Sequence, residues 1–323
     1  MKILILQPAF IGDVVLATSL IESLKNEHID CHIDFLVRKG NDALLLHHPK
    51  IKTLLVFDRK QGKLKELRRL IKLIRKEKYD YVINPHRFGS SGILTALSKA
   101  KFKIGFRKNP FSLFYSRQFE HSLESGLHEI ERNHQLISSI VENTKPSNPR
   151  LYPVSNDYEG IPEGTFVCMA PASVWFTKQY PAENWVQLVN RQDVETEIHL
   201  IGGPGDRTLC ENIATRCKHP LVKNRAGELS FLQSAALISK AQMTYANDSA
   251  PMHFASAMNA PITAIFCSTI PSFGFGPLSD QSKIAQQSKH LSCRPCGIHG
   301  KKSCPEGHFE CAKFQIEDGE SLY

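Results

Sequence analysis

The sequence lacks any run of about 18 consecutive apolar residues, the length that a transmembrane helix requires. Its first residues, MKILILQPAF, have neither the apolar core nor the small-residue cleavage site of a secretory signal peptide, so we expect no export. The nine cysteines are an odd number and fit a reducing compartment better than a disulfide framework. Together these absences predict a cytoplasmic protein.

Sequence motifs of several enzyme classes are also missing. The chain has no complete P-loop and no GxSxG. The glycine-rich stretch IGGPGD, Ile201 to Asp206, lacks the GxGxxG spacing of a dinucleotide fingerprint, which disfavours a nicotinamide-dependent oxidoreductase. Asp206 is still a candidate for binding the hydroxyls of a ribose.

Positive charge is concentrated in the first half of the chain. Residues 1–150 hold 26 Lys and Arg against 15 Asp and Glu, whereas residues 151–323 hold 14 against 17. This asymmetry favours an anionic partner for the first half: nucleic acid, an anionic membrane surface or a phosphorylated glycolipid. A solvated basic helix explains the charge equally well. Interleaved aromatic stacking residues and known nucleic-acid motifs are missing, so we expect no nucleic acid.

Strand and helix signals alternate along the chain, which predicts βαβ units and parallel sheets. The stretch Asn143–Gly164 is rich in Pro, Asn, Ser and Gly and reads as a linker. We therefore predict the α/β class, with two doubly wound domains over residues 1–150 and 151–323 that face each other across a cleft. One basic helix is expected to bury the residues at helical spacing Leu64, Leu67, Ile71 and Ile74.

Polar side chains follow several predicted strands where each strand ends. Ligands of doubly wound sheets bind beyond these carboxyl ends. The polar ends are Gln7–Asp13, Asn84–Arg87, Pro171–Lys178, Gly202–Asp206 and Asn247–His253.

Asp13 lies where the first strand passes into a helix. It reads either as an acid that complements the helix dipole or as a general base. The helix terminus favours its ionised form, whereas desolvation by Phe10 and Ile11 would raise its pKa.

The block NDSAPMH predicts an anion site. Ser249 is a good helix N-cap and Pro251 fits the first helical turn, so the free N–H groups there suit a phosphate or pyrophosphate. The negative charge of Asp248 does not suit the same phosphate, so Asp248 is a candidate to accept hydrogen bonds from sugar hydroxyls. His253 either donates a hydrogen bond to phosphate or packs in the core. Earlier in the same predicted domain, in the stretch Pro171–Lys178, Lys178 and Ser173 are candidates for contacts with a departing phosphate.

Four cysteines near the end of the chain have the spacing C-x2-C-x7-C-x6-C. These are Cys293, Cys296, Cys304 and Cys311. A structural zinc or iron site is chemically possible, and reduced, partly buried thiols are the alternative.

Several of these motifs, taken in order, resemble those of the glycosyltransferase family 9 heptosyltransferases. They are FIGDVVLATSLIESLK, YDYVINPHRFGSSG, GFRKNPFSLFYSR, HEIERNHQLI, FTKQYPAENW, NRAGELSFLQSAALISKAQMTYANDSAPMHFASAMNAPITAIF and the Cys-rich tail. The second half is more similar to the heptosyltransferase II type. The resemblance implies a GT-B fold, with the acceptor bound by the first domain and ADP-heptose by the second. One departure is Ala250-Pro251, where the family usually has Gly and then Leu or a similar residue.

The resemblance also implies roles for matching residues. Asp13 would be the general base, and Lys178 would contact the diphosphate and the sugar. The other donor contacts would come from Ser173, Asp248, Ser249, Ala250 and His253. No cofactor would be required for catalysis.

Arg87, Arg107 and Lys108 of the basic half would meet the phosphates and carboxylates of a lipopolysaccharide core acceptor. The protein would then work peripherally on the cytoplasmic face of the inner membrane. Two alternatives stay open. One is the same fold with another nucleotide-activated sugar. The other is a binding protein for nucleotide sugars or nucleic acid without catalysis.

Overall fold

The structure is a computed structural model that describes residues 1–316. The end of the predicted second domain, residues 317–323, lies outside the described residues. The chain divides into two compact units, residues 1–152 and residues 153–323. The predicted boundary at residue 150 lies two residues from this division.

The first unit contains one parallel sheet flanked by helices. Its strands are β1 (Lys2–Leu6), β2 (His32–Arg38), β3 (Thr53–Phe57), β4 (Tyr81–Asn84), β5 (Phe102–Phe106) and β6 (Arg117–Phe119), in the order β3-β2-β1-β4-β5-β6. Its helices are α1 (Ile11–Glu27), α2 (Lys63–Glu77), α3 (Gly89–Leu97) and α4 (Glu129–Gln135). All strand pairs are parallel, and Lys2 of β1 is in register with His32 of β2.

The second unit repeats this order of strands. Its strands are β7 (Phe166–Ala170), β8 (Glu197–Leu200), β9 (Val222–Asn224), β10 (Met243–Asn247), β11 (Ile262–Phe266) and β12 (Ser282–Gln286), in the order β12-β11-β10-β7-β8-β9. Its helices are α5 (Ala182–Asn190), α6 (Arg207–Arg216), α7 (Phe231–Lys240) and α8 (Ala250–Met258). The predicted α/β class, with two doubly wound domains, is confirmed.

Both sheets reverse their strand order beside their first strand. In the first unit this switch point lies between β1 and β4, and in the second it lies between β7 and β10. The carboxyl ends of strands at a switch point diverge into loops on opposite sides and leave a crevice that binds ligands. Ligands are therefore expected at the loops that follow β1 and β4 in the first unit, and at those that follow β7 and β10 in the second.

The core residues follow from the sequence periodicity, with one difference. Helix α1 is buried from Val14 to Leu24, as expected for a helix that is largely apolar all round. Helix α2 buries Leu67, Leu70 and Ile74. Leu64, which we expected in this face, lies in the first turn and is exposed. Leu70 is buried in the same face, and Ile71, which we also expected there, is partly buried against the same core. Among residues 1–316, no helix combines the length and apolarity needed to cross a bilayer.

Candidate functional site

Lys178 and Asp248 form an ion pair at the switch point of the second unit. The Lys178 Nζ atom lies 2.6 Å from Asp248 Oδ2, and both side chains are mostly buried. Lys178 ends a short 3₁₀ helix (Phe176–Lys178) after β7, and Asp248 directly follows β10. Two residues singled out separately from the sequence are thus brought together by neighbouring strands.

Two further polar side chains fix this pair. The hydroxyl of Thr269 donates to Asp248 Oδ2 at 2.7 Å, so one carboxylate oxygen serves both Thr269 and Lys178. Asn247 is fully buried; its Nδ2 donates to the Pro171 carbonyl and its Oδ1 accepts from the Tyr180 N–H. Asn247 therefore ties the end of β10 to both ends of the loop that carries Lys178. Such satisfied buried polar networks specify one arrangement of their members.

The Cys-rich segment, residues 293–311, packs on the backbone beside Lys178. Thr177 is fully buried, and its hydroxyl oxygen accepts from the Lys301 N–H at 2.8 Å and lies 2.9 Å from Ser268 Oγ. The Thr177 N–H donates in turn to the Lys301 carbonyl. Gly300 lies so close that an added Cβ would be 2.9 Å from Lys178 Cγ. The segment thus contacts Lys178 directly and determines the path of its backbone.

Helix α8 begins beside Asp248 and directs its first turn toward this end of the sheet. Ser249 occupies the N-cap position and Pro251 lies in the first turn, as the sequence predicted. The Ser249 hydroxyl does not cap the helix; it donates to the Asn247 carbonyl. The N–H groups of a first helical turn have no intrahelical partner and carry partial positive charge, which suits a phosphate. His253 is buried in the next turn.

Two of the predicted donor residues have local structural contacts. Asp206 Oδ2 accepts from the Gly203 N–H at 2.8 Å and so closes its own turn. Within residues 1–316, no hydrogen bond or ion pair joins Asp206 to Lys178 or Asp248. The Ser173 carbonyl accepts from Gln179 Nε2 and closes the loop before Lys178. Contacts of Asp206 and Ser173 with a donor therefore stay predictions.

Asp13 lies in the first turn of α1, beyond the carboxyl end of β1. The pKa of Asp13 is raised to about 6, mainly by burial and in addition by the negative charge of Glu129. Arg87 and the backbone N–H groups of Phe10 and Asp13 act in the opposite direction. A carboxylate with a pKa near 6 is ionised at neutral pH and is a stronger base than an ordinary aspartate. Phe10, expected to shield Asp13, is itself exposed, with the Arg38 guanidinium 5.2 Å from its ring.

Glu129 belongs to a buried network in α4 that was not predicted. Its Oε2 accepts from Arg132 Nε at 2.8 Å and lies 2.9 Å from His121 Nε2. Burial alone would raise the pKa of Glu129, but His121 and Arg132 outweigh it and lower this pKa. Glu129 is therefore a fixed anion that makes Asp13 harder to ionise.

The predicted acceptor residues lie on two loops of the first unit. Arg87 follows β4 and is close enough to Asp13 to lower its pKa; its guanidinium carbon also lies 5.0 Å from the centre of the Phe88 ring. Arg107 and Lys108 follow β5 and are exposed. Arg107 pairs with Glu120 at 2.7 Å, and such exposed pairs contribute little to stability, so Arg107 is readily exchanged to another anion.

A cavity of about 420 Å³ opens at the start of α3. It is lined by Arg59, Lys63, Phe88, Gly89, Ser90 and Ile93. Two cationic side chains and the first turn of a helix give this cavity a positive potential. It is therefore suited to a phosphate or carboxylate, and it shares Phe88 with the Arg87 loop.

The four cysteines near the end of the chain are free thiols in the structure. Among residues 1–316, no three His, Cys, Asp or Glu side chains are arranged to hold a metal ion. Cys311 is instead buried in the apolar core of the second unit, and burial raises its pKa to about 11. Cys293 Sγ lies 3.9 Å from His308 Nε2. Cys293, Cys296 and Cys304 are half-buried, and Cys311 is buried.

The sequence reasoning missed Thr269, Thr177 and the Glu129 network. Thr269 could have been found, because Ser268 and Thr269 are polar residues that follow the end of β11. Thr177 lies in a segment already quoted, but its role depends on a contact 124 residues away. Glu129 lies in the motif HEIERNHQLI, and nothing in that motif places it beside α1.

Comparison with known proteins identifies the class and then the family. The family model described as glycosyltransferase family 9 (heptosyltransferase) matches residues 67–308. The chain is 29% identical to lipopolysaccharide heptosyltransferase 3 of Escherichia coli, over 80% of this chain and 82% of that protein. The structure of E. coli ADP-heptose lipopolysaccharide heptosyltransferase II is similar, with a TM-score of 0.79, 20% identity, and coverage of 96% and 97% of the two chains.

A second structural comparison supports the same fold. An E. coli heptosyltransferase solved with ADP matches with a TM-score of 0.76 and 19% identity, over 88% of this chain and 92% of that one. The fold is that of a glycosyltransferase of the GT-B class. The chain belongs to glycosyltransferase family 9, the heptosyltransferase family.

Proposed function

We propose that this protein transfers a heptosyl unit from ADP-heptose to the inner core of lipopolysaccharide, with inversion at the anomeric carbon. The observation that carries the proposal is the buried Lys178–Asp248 ion pair beside the first turn of α8. This arrangement places three kinds of group at one switch point: a cation, a carboxylate that can accept hydrogen bonds from hydroxyls, and the backbone N–H groups of a first helical turn. The relatives named above are heptosyltransferases of lipopolysaccharide, and one was solved with ADP.

The second unit would bind the donor. The diphosphate would lie at the first turn of α8, against the N–H groups of Ser249 and Ala250, with Lys178 and His253 as donors to its oxygens. Asp248 would accept hydroxyls of the heptose, while Ser173 and Asp206 would add contacts to phosphate and ribose. Fixed N–H dipoles and a lysine stabilise charge most effectively where it develops, which here is on the departing ADP. The proposal includes no cofactor, because these groups supply the positive charge.

The first unit would bind the acceptor and supply the base. The Asp13 carboxylate takes the proton of an acceptor hydroxyl while that oxygen forms a bond to the anomeric carbon. The bond from that carbon to the β-phosphate oxygen breaks, and its electron pair leaves with ADP. Arg87, Arg107 and Lys108, together with the cavity residues Arg59 and Lys63, would hold phosphates and carboxylates of the acceptor. Since inner-core acceptors are lipid-linked, we also propose that the protein works peripherally at the cytoplasmic face of the inner membrane.

Incubation with ADP-heptose and a panel of truncated lipopolysaccharide cores tests the proposal. Mass spectrometry should show one added heptose on one core, with release of ADP in equal amount. The main alternative is the same transfer from another nucleotide-activated hexose. A donor screen with the same acceptors separates the two, because only the true donor will give a product of the matching mass.

A non-catalytic binding protein is the other alternative. It would bind ADP-heptose in calorimetry without producing ADP or a heavier acceptor. The raised pKa of Asp13 favours the enzyme, because a carboxylate with a pKa near the operating pH is suited to act as a general base.

A further inference from the structure

The loop of residues 107–117 exposes large apolar side chains on a fixed backbone. Leu113 is 87% exposed and Phe114 is 61% exposed. Phe88, on the neighbouring loop, is 54% exposed. Single exposed apolar residues are common in proteins, but a group of them on adjoining loops marks an interaction surface. We call the loop of residues 107–117, together with Phe88, the aromatic loop surface.

Hydrogen bonds behind this loop hold its tip in place. Asn109 is buried, and its Nδ2 donates to the carbonyls of His86 and Phe88, which joins the two loops. Ser112 donates its hydroxyl to the Arg107 carbonyl at 3.0 Å. Tyr115 is buried and its hydroxyl accepts from Asn84 at 2.9 Å. The polar groups of Asn109, Ser112 and Tyr115 are thus turned inward, and the exposure of Leu113 and Phe114 is a property of the folded loop.

The rim of the same surface is basic. Lys108 and Arg117 are exposed within the loop, and Arg87 lies over Phe88. An apolar tip surrounded by cations is the composition of a segment that inserts at the interface of an anionic bilayer. The apolar side chains enter the headgroup boundary while the Lys and Arg side chains contact lipid phosphates. The surface also adjoins the cavity beside α3, because Phe88 belongs to both.

We propose that the aromatic loop surface docks the protein on an anionic membrane, with Leu113 and Phe114 inserted among the lipid headgroups. The proposal rests on the proposed function, since a lipid-linked acceptor presents its anionic sugars at the membrane surface. Docking through this loop brings the basic cavity to the level at which those sugars emerge. The charge complementarity favours an anionic bilayer over an apolar protein partner, which would offer no counter-charge to the exposed Lys108 and Arg117 side chains.

The test is vesicle flotation of the full chain, with vesicles of phosphatidylethanolamine and phosphatidylglycerol or of phosphatidylcholine alone. The double variant Leu113→Ser/Phe114→Ser is compared with Ile29→Ser/Leu46→Ser, which removes two equally exposed apolar side chains elsewhere in the first unit. We expect the unmodified protein to float with the anionic vesicles and the loop variant to bind them about 10- to 100-fold less tightly. The control variant should bind as the unmodified protein does.

Transfer to a deacylated core acceptor is measured in parallel to separate the two proposals. The loop variant should keep this activity, because Leu113 and Phe114 are not part of the donor or acceptor sites. Absence of transfer in every variant would contradict the proposed function while the flotation result still stands. Equal flotation of loop and control variants, or no flotation of the unmodified protein, would overturn the docking proposal. A dimer in light scattering that the loop substitutions dissociate, with unchanged flotation, would assign the surface to self-association instead.

Discussion

Lys178 and Asp248 are joined through Asp248 Oδ2, which lies 2.6 Å from the lysine ammonium and 2.7 Å from the Thr269 hydroxyl. A mostly buried ion pair contributes little net stability, but removal of one partner leaves a buried charge without compensation. The pair is therefore better explained by the need to hold a cation and a carboxylate ready for a charged ligand. The predictions below begin with this pair.

Thr269→Val should weaken the donor site without disrupting the fold. The substitution keeps the shape of the side chain and removes the hydroxyl that holds Asp248. We expect kcat/KM for ADP-heptose to fall roughly 10-fold, the value of one hydrogen bond to a charged group. Thr263→Val is the matched control, because within residues 1–316 the Thr263 hydroxyl on β11 donates only to the Met243 sulfur, at 3.8 Å. Equal kinetics for the two variants would show that Thr269 does not position Asp248.

Gly300→Ala tests whether the Cys-rich segment positions Lys178. The new Cβ would lie 2.9 Å from Lys178 Cγ and 3.1 Å from Thr177 Oγ1, and we expect kcat/KM to fall about 10- to 100-fold. Gly307→Ala is the control, because φ is +74° at Gly307 and +76° at Gly300. A Cβ added at Gly307 would have no described atom within 4 Å. Both variants carry the strain of a positive φ, so only the contact differs. A similar loss in both would attribute the effect to the backbone alone.

Asp13→Asn should lower turnover and raise stability together. Loss of the base should reduce kcat by about 10²–10⁴ with nearly unchanged ADP-heptose binding. The folded-state pKa lies above the unfolded value of 3.8, so ionised Asp13 opposes folding by at most about 3 kcal/mol above pH 6. Chemical denaturation should therefore show the variant to be more stable at pH 8, with the difference disappearing below about pH 4. Unchanged turnover would refute the assignment of Asp13 as the base.

The pH dependence of catalysis should report the surroundings of Asp13. The acid limb of kcat/KM should fall with a midpoint near 6, because protonated Asp13 cannot accept a proton. Glu129→Gln removes an anion that raises this pKa, so the midpoint should move to lower pH. Glu124→Gln, an exposed acid in the same segment, should leave the midpoint unchanged. A midpoint that does not move in Glu129→Gln would show that Glu129 has no electrostatic influence on the base.

The strand-end rule explains how much of the site could be predicted. It selected Lys178 and Asp248 in the second unit, and separately Asp13 in the first, because each parallel sheet brings the carboxyl ends of its own strands to one edge, whatever their separation in sequence. It could not find Glu129 or the Thr177–Lys301 contact, because these depend on how a later segment packs on an earlier one. Leu64 shows the same limit at a helix end, where helical spacing alone does not distinguish a core residue from a solvated one.

The cysteine spacing left two arrangements open, a structural metal site and reduced thiols. C-x2-C-x7-C-x6-C permits a metal site in an extended chain, but in the fold Cys311 packs into the apolar core with Trp185 and Ile213. Spacing constrains which residues can meet, whereas the apolar surroundings of Cys311 determine where it lies. A thiol buried in this way stays protonated, with its pKa raised to about 11.

Transfer of a heptosyl unit is the central claim, and one measurement tests it most directly. The purified protein is incubated with ADP-heptose and truncated, deacylated inner cores, and the products are analysed by mass spectrometry and by the anomeric coupling of the new linkage. The account predicts one core that gains a single heptose with inverted configuration, and ADP in equal amount. ADP release without a heavier core, or no reaction with any core in the panel, would contradict it.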